Sequence, residues 1–159
     1  MSNTYSQKGF SLIELLAVVA IIGIVCAIAV PRLLNSRRAA NEGSAMSTMR
    51  AIHGVEASYQ STIGEGEFAD LPTLVANKMV DSTFASNTKS GYQFVVTPSA
   101  SGIRPANFFA SAVPTITDGV SQTGSRRFGI CDDGVLRADT SLAAFSTREE
   151  VANTPGLNN

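Results

Sequence analysis

The chain has 159 residues, enough for one domain plus an appended helix. Its 12 Lys and Arg against 13 Asp and Glu give a formal net charge of -1, so no basic surplus speaks for nucleic acid, and no specific nucleic-acid site is read. Only 16% of residues are charged, and the 44% that are hydrophobic are unevenly placed, with much of that content concentrated between Phe10 and Leu34, which argues against a uniformly soluble globule.

The first element is the stretch Lys8-Gly9-Phe10-Ser11-Leu12-Ile13-Glu14-Leu15-Leu16 and the apolar run behind it. After Glu14 no charge follows until Arg32. The 17 residues Leu15–Pro31 span roughly 25 Å as a helix, and extension back to Phe10 makes the run long enough for a bilayer. A lone acid in such a helix costs a few kcal/mol near the bilayer centre, so it calls for a partner charge from another molecule. Two further readings stay open: a secretory signal, with a thin basic start and a long apolar core, and a lipoprotein acylated at Cys26, which has Val25 where a small residue is wanted.

Lys8-Gly9, then Phe10, then Glu14 four residues on, followed by the apolar run, resembles the N-terminal segment of the type IV pilin and type II secretion pseudopilin family. The resemblance covers about the first third of the chain. It implies a leader, residues 1–9, cut between Gly9 and Phe10 by a prepilin peptidase, N-methylation of Phe10, and Glu14 as the carboxylate required for filament assembly. It implies a single-pass subunit of the bacterial inner membrane that an assembly platform feeds into a homopolymeric filament. That filament is either an extracellular type IV pilus for adhesion, twitching or DNA uptake, or the periplasmic pseudopilus of type II secretion. Arg32, Arg37 and Arg38 would then lie outside, against the usual positive-inside bias, and would meet acids of neighbouring subunits.

Within the apolar run, Gly23 lowers helix propensity by about 1 kcal/mol relative to Ala. Pro31 removes a backbone donor and clashes with the preceding turn. Gly23–Pro31 is therefore the weak region of the helix. Beyond it, Ala45, Met49, Ile52, Val55, Tyr59 and Ile63 recur at three- and four-residue spacing and predict an apolar stripe that supports a sheet. Arg37, Arg38, Asn41, Glu42, Ser44, Ser47, Thr48 and Arg50 fill the other faces. Gly64-Glu65-Gly66 stops the helix after about 50 residues.

The expected organisation is thus leader 1–9, membrane or filament-core helix 10–31, amphipathic helix 32–64, and a head at 65–159. The head opens with a short helix over Asp70–Ala76, with Pro72 in its first turn. Four strands follow: Gly91–Thr97, Asn107–Val113, Arg126–Cys131 and Val135–Ala138, the last two joined by a tight Asp132-Asp133-Gly134 turn. Thr115–Ser125 reads as a loop, and the polar tail from Ser141 as a mobile segment or an edge wrap. The fold class is α+β, a long helix packed on a small antiparallel sheet, pilin-like.

Cys26 and Cys131 fall in the apolar run and the head, so a bridge between them is not expected. The C-terminal loop must be held without a disulfide. His53 has no metal-ligand spacing around it and reads as a surface or partly packed helix residue, and Met46 and Met49 read as core. Asp118, Asp132, Asp133 and Asp139 are too spread for the tight oxygen cage of calcium. No phosphate loop, nucleophile elbow or paired ligand motif occurs, so no cofactor, no metal and no enzymatic activity is expected, and the remaining acids read as solvated surface.

Overall fold

The computed structural model describes residues 9–103 and 105–157, so the leader residues 1–8, Lys8 among them, lie outside the described part. The chain divides into a unit up to Ser36 and a second unit, Arg37–Asn159. Helix α1 (Leu12–Thr62) is 51 residues long and contributes to both. Its length agrees with the expected 50-residue helix.

In the second unit, Ala45, Met49 and Ile52 of α1 are buried, and Val55 and Tyr59 pack half-buried beside them. The stripe ends there. Ile63 is 51% exposed, because the helix stops at Thr62 and the chain turns away. That turn is tight: the Gly64 N–H donates to the Tyr59 carbonyl at 2.8 Å, and a Cβ at Gly64 would run into the Tyr59 ring. Helix α2 (Leu71–Ala76) follows, capped by Asp70, whose carboxylate accepts from the Thr73 N–H at 3.0 Å. Leu71 and Leu74 anchor it in the core.

The sheet is a five-stranded antiparallel meander in the order β1 to β5: Thr88–Lys89, Tyr92–Pro98, Phe108–Pro114, Arg127–Cys131 and Arg137–Asp139. A 3-10 turn at Ser82–Ser86 and the two-residue β1 were not foreseen. They are too short to carry a period-2 pattern. Tyr92, Phe94 and Val96 of β2, Phe108, Ala110 and Ala112 of β3, and Phe128 and Ile130 of β4 form the core with the α1 stripe.

The last strand corrects the expectation. The tight turn at Asp132-Asp133-Gly134 is present, closed by the Gly134 N–H on the Cys131 carbonyl at 3.0 Å, but the strand begins later than Val135: its pairing with β4 spans Gly129↔Arg137 to Arg127↔Asp139. Asp133 is the reason. Its carboxylate accepts from the Val135 N–H at 2.9 Å and from the Arg137 guanidinium at 2.6 Å, folding 132–136 into a loop. Leu136 turns into the core.

The tail is also more ordered than its polarity suggests. Helix α3 (Arg148–Asn153), capped by Thr147, covers the other face of β4. There Phe145 and Val151 close over Cys131 and Phe109 as a second small core. A Cβ at Gly129 would sit 2.8 Å from both Phe145 and Val151, so this strand position requires glycine for close approach. The expected edge wrap is present: Arg137 bridges Gly156, and the Leu157 N–H donates to the Leu136 carbonyl at 2.9 Å.

Arginines take over the role a disulfide would have played in the C-terminal region. Arg127 binds Asp139 at 2.8 Å and Glu150 at 2.9 Å, Arg137 binds Asp133, and Arg148 binds Asp132 at 2.6 Å. Both cysteines are free, Cys131 buried and Cys26 exposed.

Candidate functional site

The N-terminal segment is built by local rules. Gly9, Phe10 and Ser11 precede the helix without regular structure, and Phe10 is 87% exposed. Ser11 is the residue before the first helical turn. Its backbone N–H donates to Glu14 Oε2 at 2.9 Å, while its carbonyl accepts from the Leu15 N–H at 3.2 Å. Ser11-Leu12-Ile13-Glu14 is therefore a Ser-x-x-Glu start signal, with the glutamate reaching back to the cap as in a capping box. Sequence reasoning treated Glu14 as a charge in search of a partner and passed over this pattern, although both residues were in view. The carboxylate faces the positive end of the α1 dipole and its first free N–H groups.

Behind it the helix presents apolar side chains on every side. Leu12, Ile13, Leu15, Leu16, Ile21, Ile22 and Ile24 are each more than half exposed. A helix apolar all round needs lipid or other helices as its surroundings. By length and composition α1 can cross a membrane. Glu14 is the only charge between Phe10 and Arg32. The helix runs on through Gly23, where nothing lies within 4 Å of an added Cβ, and through Pro31, which leaves the Ala27 carbonyl without its helical donor.

The second unit holds a polar clamp. Arg38 donates to the carbonyls of Gln122 and Gly119, each at 3.2 Å, and Asn41 Nδ2 donates to that of Thr123 at 2.9 Å. Glu42 Oε1 accepts from the Ser125 N–H and hydroxyl at 2.8 and 2.7 Å, and Oε2 from Arg126 at 2.7 Å. These side chains recur on one face of α1 and fasten the loop between β3 and β4. Two expectations change here. Arg38 serves its own head domain instead of a neighbour's acid. Glu42 is buried instead of filling a polar face. Burial pushes its carboxyl up, but the Ser125 donors and Arg126 outweigh that and hold it below the ordinary carboxylate range.

The acids read as solvated surface are largely engaged. Asp133 and Asp139 are each held low by an arginine hydrogen bond, from Arg137 and Arg127 respectively. Asp118 accepts from the Gly119 N–H. Among the described residues no three His, Cys, Asp or Glu side chains gather as metal ligands. His53 is half-buried, its ring 6.1 Å from that of Phe108. Met49 is fully buried, with Met46 against the same core.

Comparison with known proteins points to the N-terminal segment. Residues 5–30 match the prokaryotic N-terminal methylation motif. The chain is 28% identical over 123 residues to the type IV major pilin protein PilA of Myxococcus xanthus, covering 77% of this chain and 52% of that protein. It is 31% identical over 88 residues to the type II secretion system core protein G of Escherichia coli, covering 48% of this chain and 61% of that protein. The chain thus spans between half and two thirds of the length of these relatives. No solved structure matches it.

Proposed function

Because this chain belongs to the pilin and pseudopilin family, we propose that it is the structural subunit of a type IV pilus, assembled through its N-terminal helix after removal of the leader and methylation of Phe10. The observation that supports this most is the conjunction of a methylation motif over residues 5–30 with an exposed, all-apolar helix that carries one acid. The relatives it matches are, by name, a type IV major pilin protein and a type II secretion system core protein.

In this reading α1 first holds the subunit in the inner membrane. A prepilin peptidase reaches the irregular, exposed Gly9–Phe10 bond, and the same enzyme methylates the new amine. Glu14 then exchanges its cap hydrogen bond for the Phe10 amine of a neighbouring subunit as an assembly platform lifts the helix out of lipid. Pairing inside the helix bundle neutralises a charge that is costly alone and so fixes register and direction. Gly23 and Pro31 mark where α1 loses helical order most readily in the bundle. The match to a type II secretion core protein supports a second reading, a subunit of the periplasmic pseudopilus.

The deciding experiment is intact-mass and N-terminal analysis of sheared surface material. A chain beginning at methylated Phe10 and abundant in that fraction favours the pilus. The same N-terminus confined to the envelope favours the pseudopilus, and a start near residue 30 overturns both.

A further inference from the structure

Glu56 stands apart from every group used so far. It lies in the second half of α1, is fully buried, and has one carboxyl oxygen, Oε1, without a hydrogen-bond partner among the described residues. The other, Oε2, accepts from the backbone N–H of Ala69 at 3.1 Å. Ala69 belongs to the connection Ile63–Asp70 between α1 and α2, so this bond ties the connection to the helix. Among the described residues no ion pair to an arginine or lysine is formed by it. The charge that acts on it is the Asp70 carboxylate, of the same sign. Asp70 is held below the ordinary carboxylate range by its Thr73 hydrogen bonds, so it stays ionised through neutral pH. The titratable groups close by in sequence are His53 on α1 and Glu65 and Glu67 in the connection. The β3 residue that meets this region is Phe108, stacked on Phe68 at 4.7 Å.

The connection is itself suited to move. Glu65 stands at a φ of 49° and Gly66 at 92°, so a non-glycine residue occupies the left-handed region in the turn. The connection's backbone bonds are local, from Gly64 to Tyr59, Gly66 to Gln60 and Glu67 to Gly64, so it can open below the global unfolding free energy without parting the sheet.

We propose that Glu56 is a proton-operated latch. Neutral, it keeps the Ile63–Asp70 connection closed against α1. Ionised, it drives the connection to open locally so that water reaches the carboxylate. The physical ground is that a buried carboxylate with one unpartnered oxygen pays for desolvation in full, while the acid form does not. Burial, with Asp70 adding to it and the Ala69 bond opposing it, pushes the carboxyl up to about 7 in the closed form. The closed state therefore binds the proton more tightly than the open state, whose carboxyl has the ordinary value of 4.5. Closure is favoured below about pH 4.5 and weakens as pH rises through 7. Between pH 5 and pH 8 the opening constant should grow roughly 70-fold. This inference stands independently of which filament the subunit joins.

The test is amide hydrogen exchange of the full chain in detergent micelles from pH 5 to pH 8, corrected for intrinsic exchange, with a carboxyl-carbon NMR titration of Glu56. The Ala69 opening constant should rise tens of fold in the native chain, stay within about twofold in Glu56→Gln, and rise as in the native chain in His53→Gln. The Glu56 resonance should titrate near pH 7. A native response that is flat, one that persists in Glu56→Gln, or one that the Ile130 amide follows equally (global unfolding) would overturn the latch. So would a Glu56 midpoint near 4.5, which decides the matter even if a variant fails to fold.

Discussion

Replacing Glu42 by alanine tests whether the α1 clamp is a structural part of the head. The native carboxylate takes two hydrogen bonds from Ser125 and two from Arg126, at 2.7 to 3.0 Å, and its side chain is 8% exposed. Breaking a buried ion pair by removing one partner costs about 3–5 kcal/mol. Arg126 is 37% exposed and can rehydrate when stranded, so the expectation falls to about 2–4 kcal/mol, much of it the orphaned Ser125 N–H. Guanidinium chloride unfolding of the full chain in detergent, followed by near-UV circular dichroism, should show the midpoint falling by about 1 M with an unchanged slope. The carboxyl is held below its ordinary 4.5 in the fold, so its contribution is present above pH 4.5 and is lost as pH falls through the lower folded value. The difference between native chain and variant should therefore shrink in acid. A cost below about 0.5 kcal/mol, or no shrinkage in acid, would place Glu42 among ordinary surface charges and refute the clamp.

Four further outcomes are expected. Glu14→Ala should leave processed subunits in the membrane with few filaments by electron microscopy, and normal filament numbers would sink the assembly role. Substitution of Gly9 by a bulkier residue should leave an uncut, heavier precursor on a denaturing gel. Gly129→Ala forces a methyl group against Phe145 and Val151 and should cost about 1–3 kcal/mol in the same unfolding assay. Burial, with Asp133 adding to it, pushes the Cys131 thiol up to about 11, so an aromatic disulfide reagent at pH 8 should label it only after denaturation.

The ends of the problem were legible in the sequence, because they rest on local rules. Hydrophobic period and glycine punctuation set the length of α1 and its stop. Pro72 in a first turn marked α2, and β-branched and aromatic residues marked β2 and β3. The N-terminal segment was legible for the same reason: charge, glycine, aromatic, acid and apolar run all lie within consecutive residues. The Ser11–Glu14 cap was equally local and was simply unread.

What sequence could not decide was which polar residues end up inside. Glu42 and Glu56 occupy α1 positions that look like any other helix carboxylate. Their burial follows from a loop 83 residues away in one case and from the Ala69 turn in the other. Asp133 sits in the tight turn that its sequence announces, but its pairing with Arg137 was not legible there. The tail reads as an edge wrap or a mobile segment, and nothing in it announces that Phe145 and Val151 close over a glycine in β4. Sequence alone determined the helix, the N-terminal methylation motif and the kind of sheet, since each depends on neighbours along the chain. Only the tertiary structure decided the charge pairing, the strap over β4 and the isolation of Glu56, since burial is a property of residues brought together from far apart.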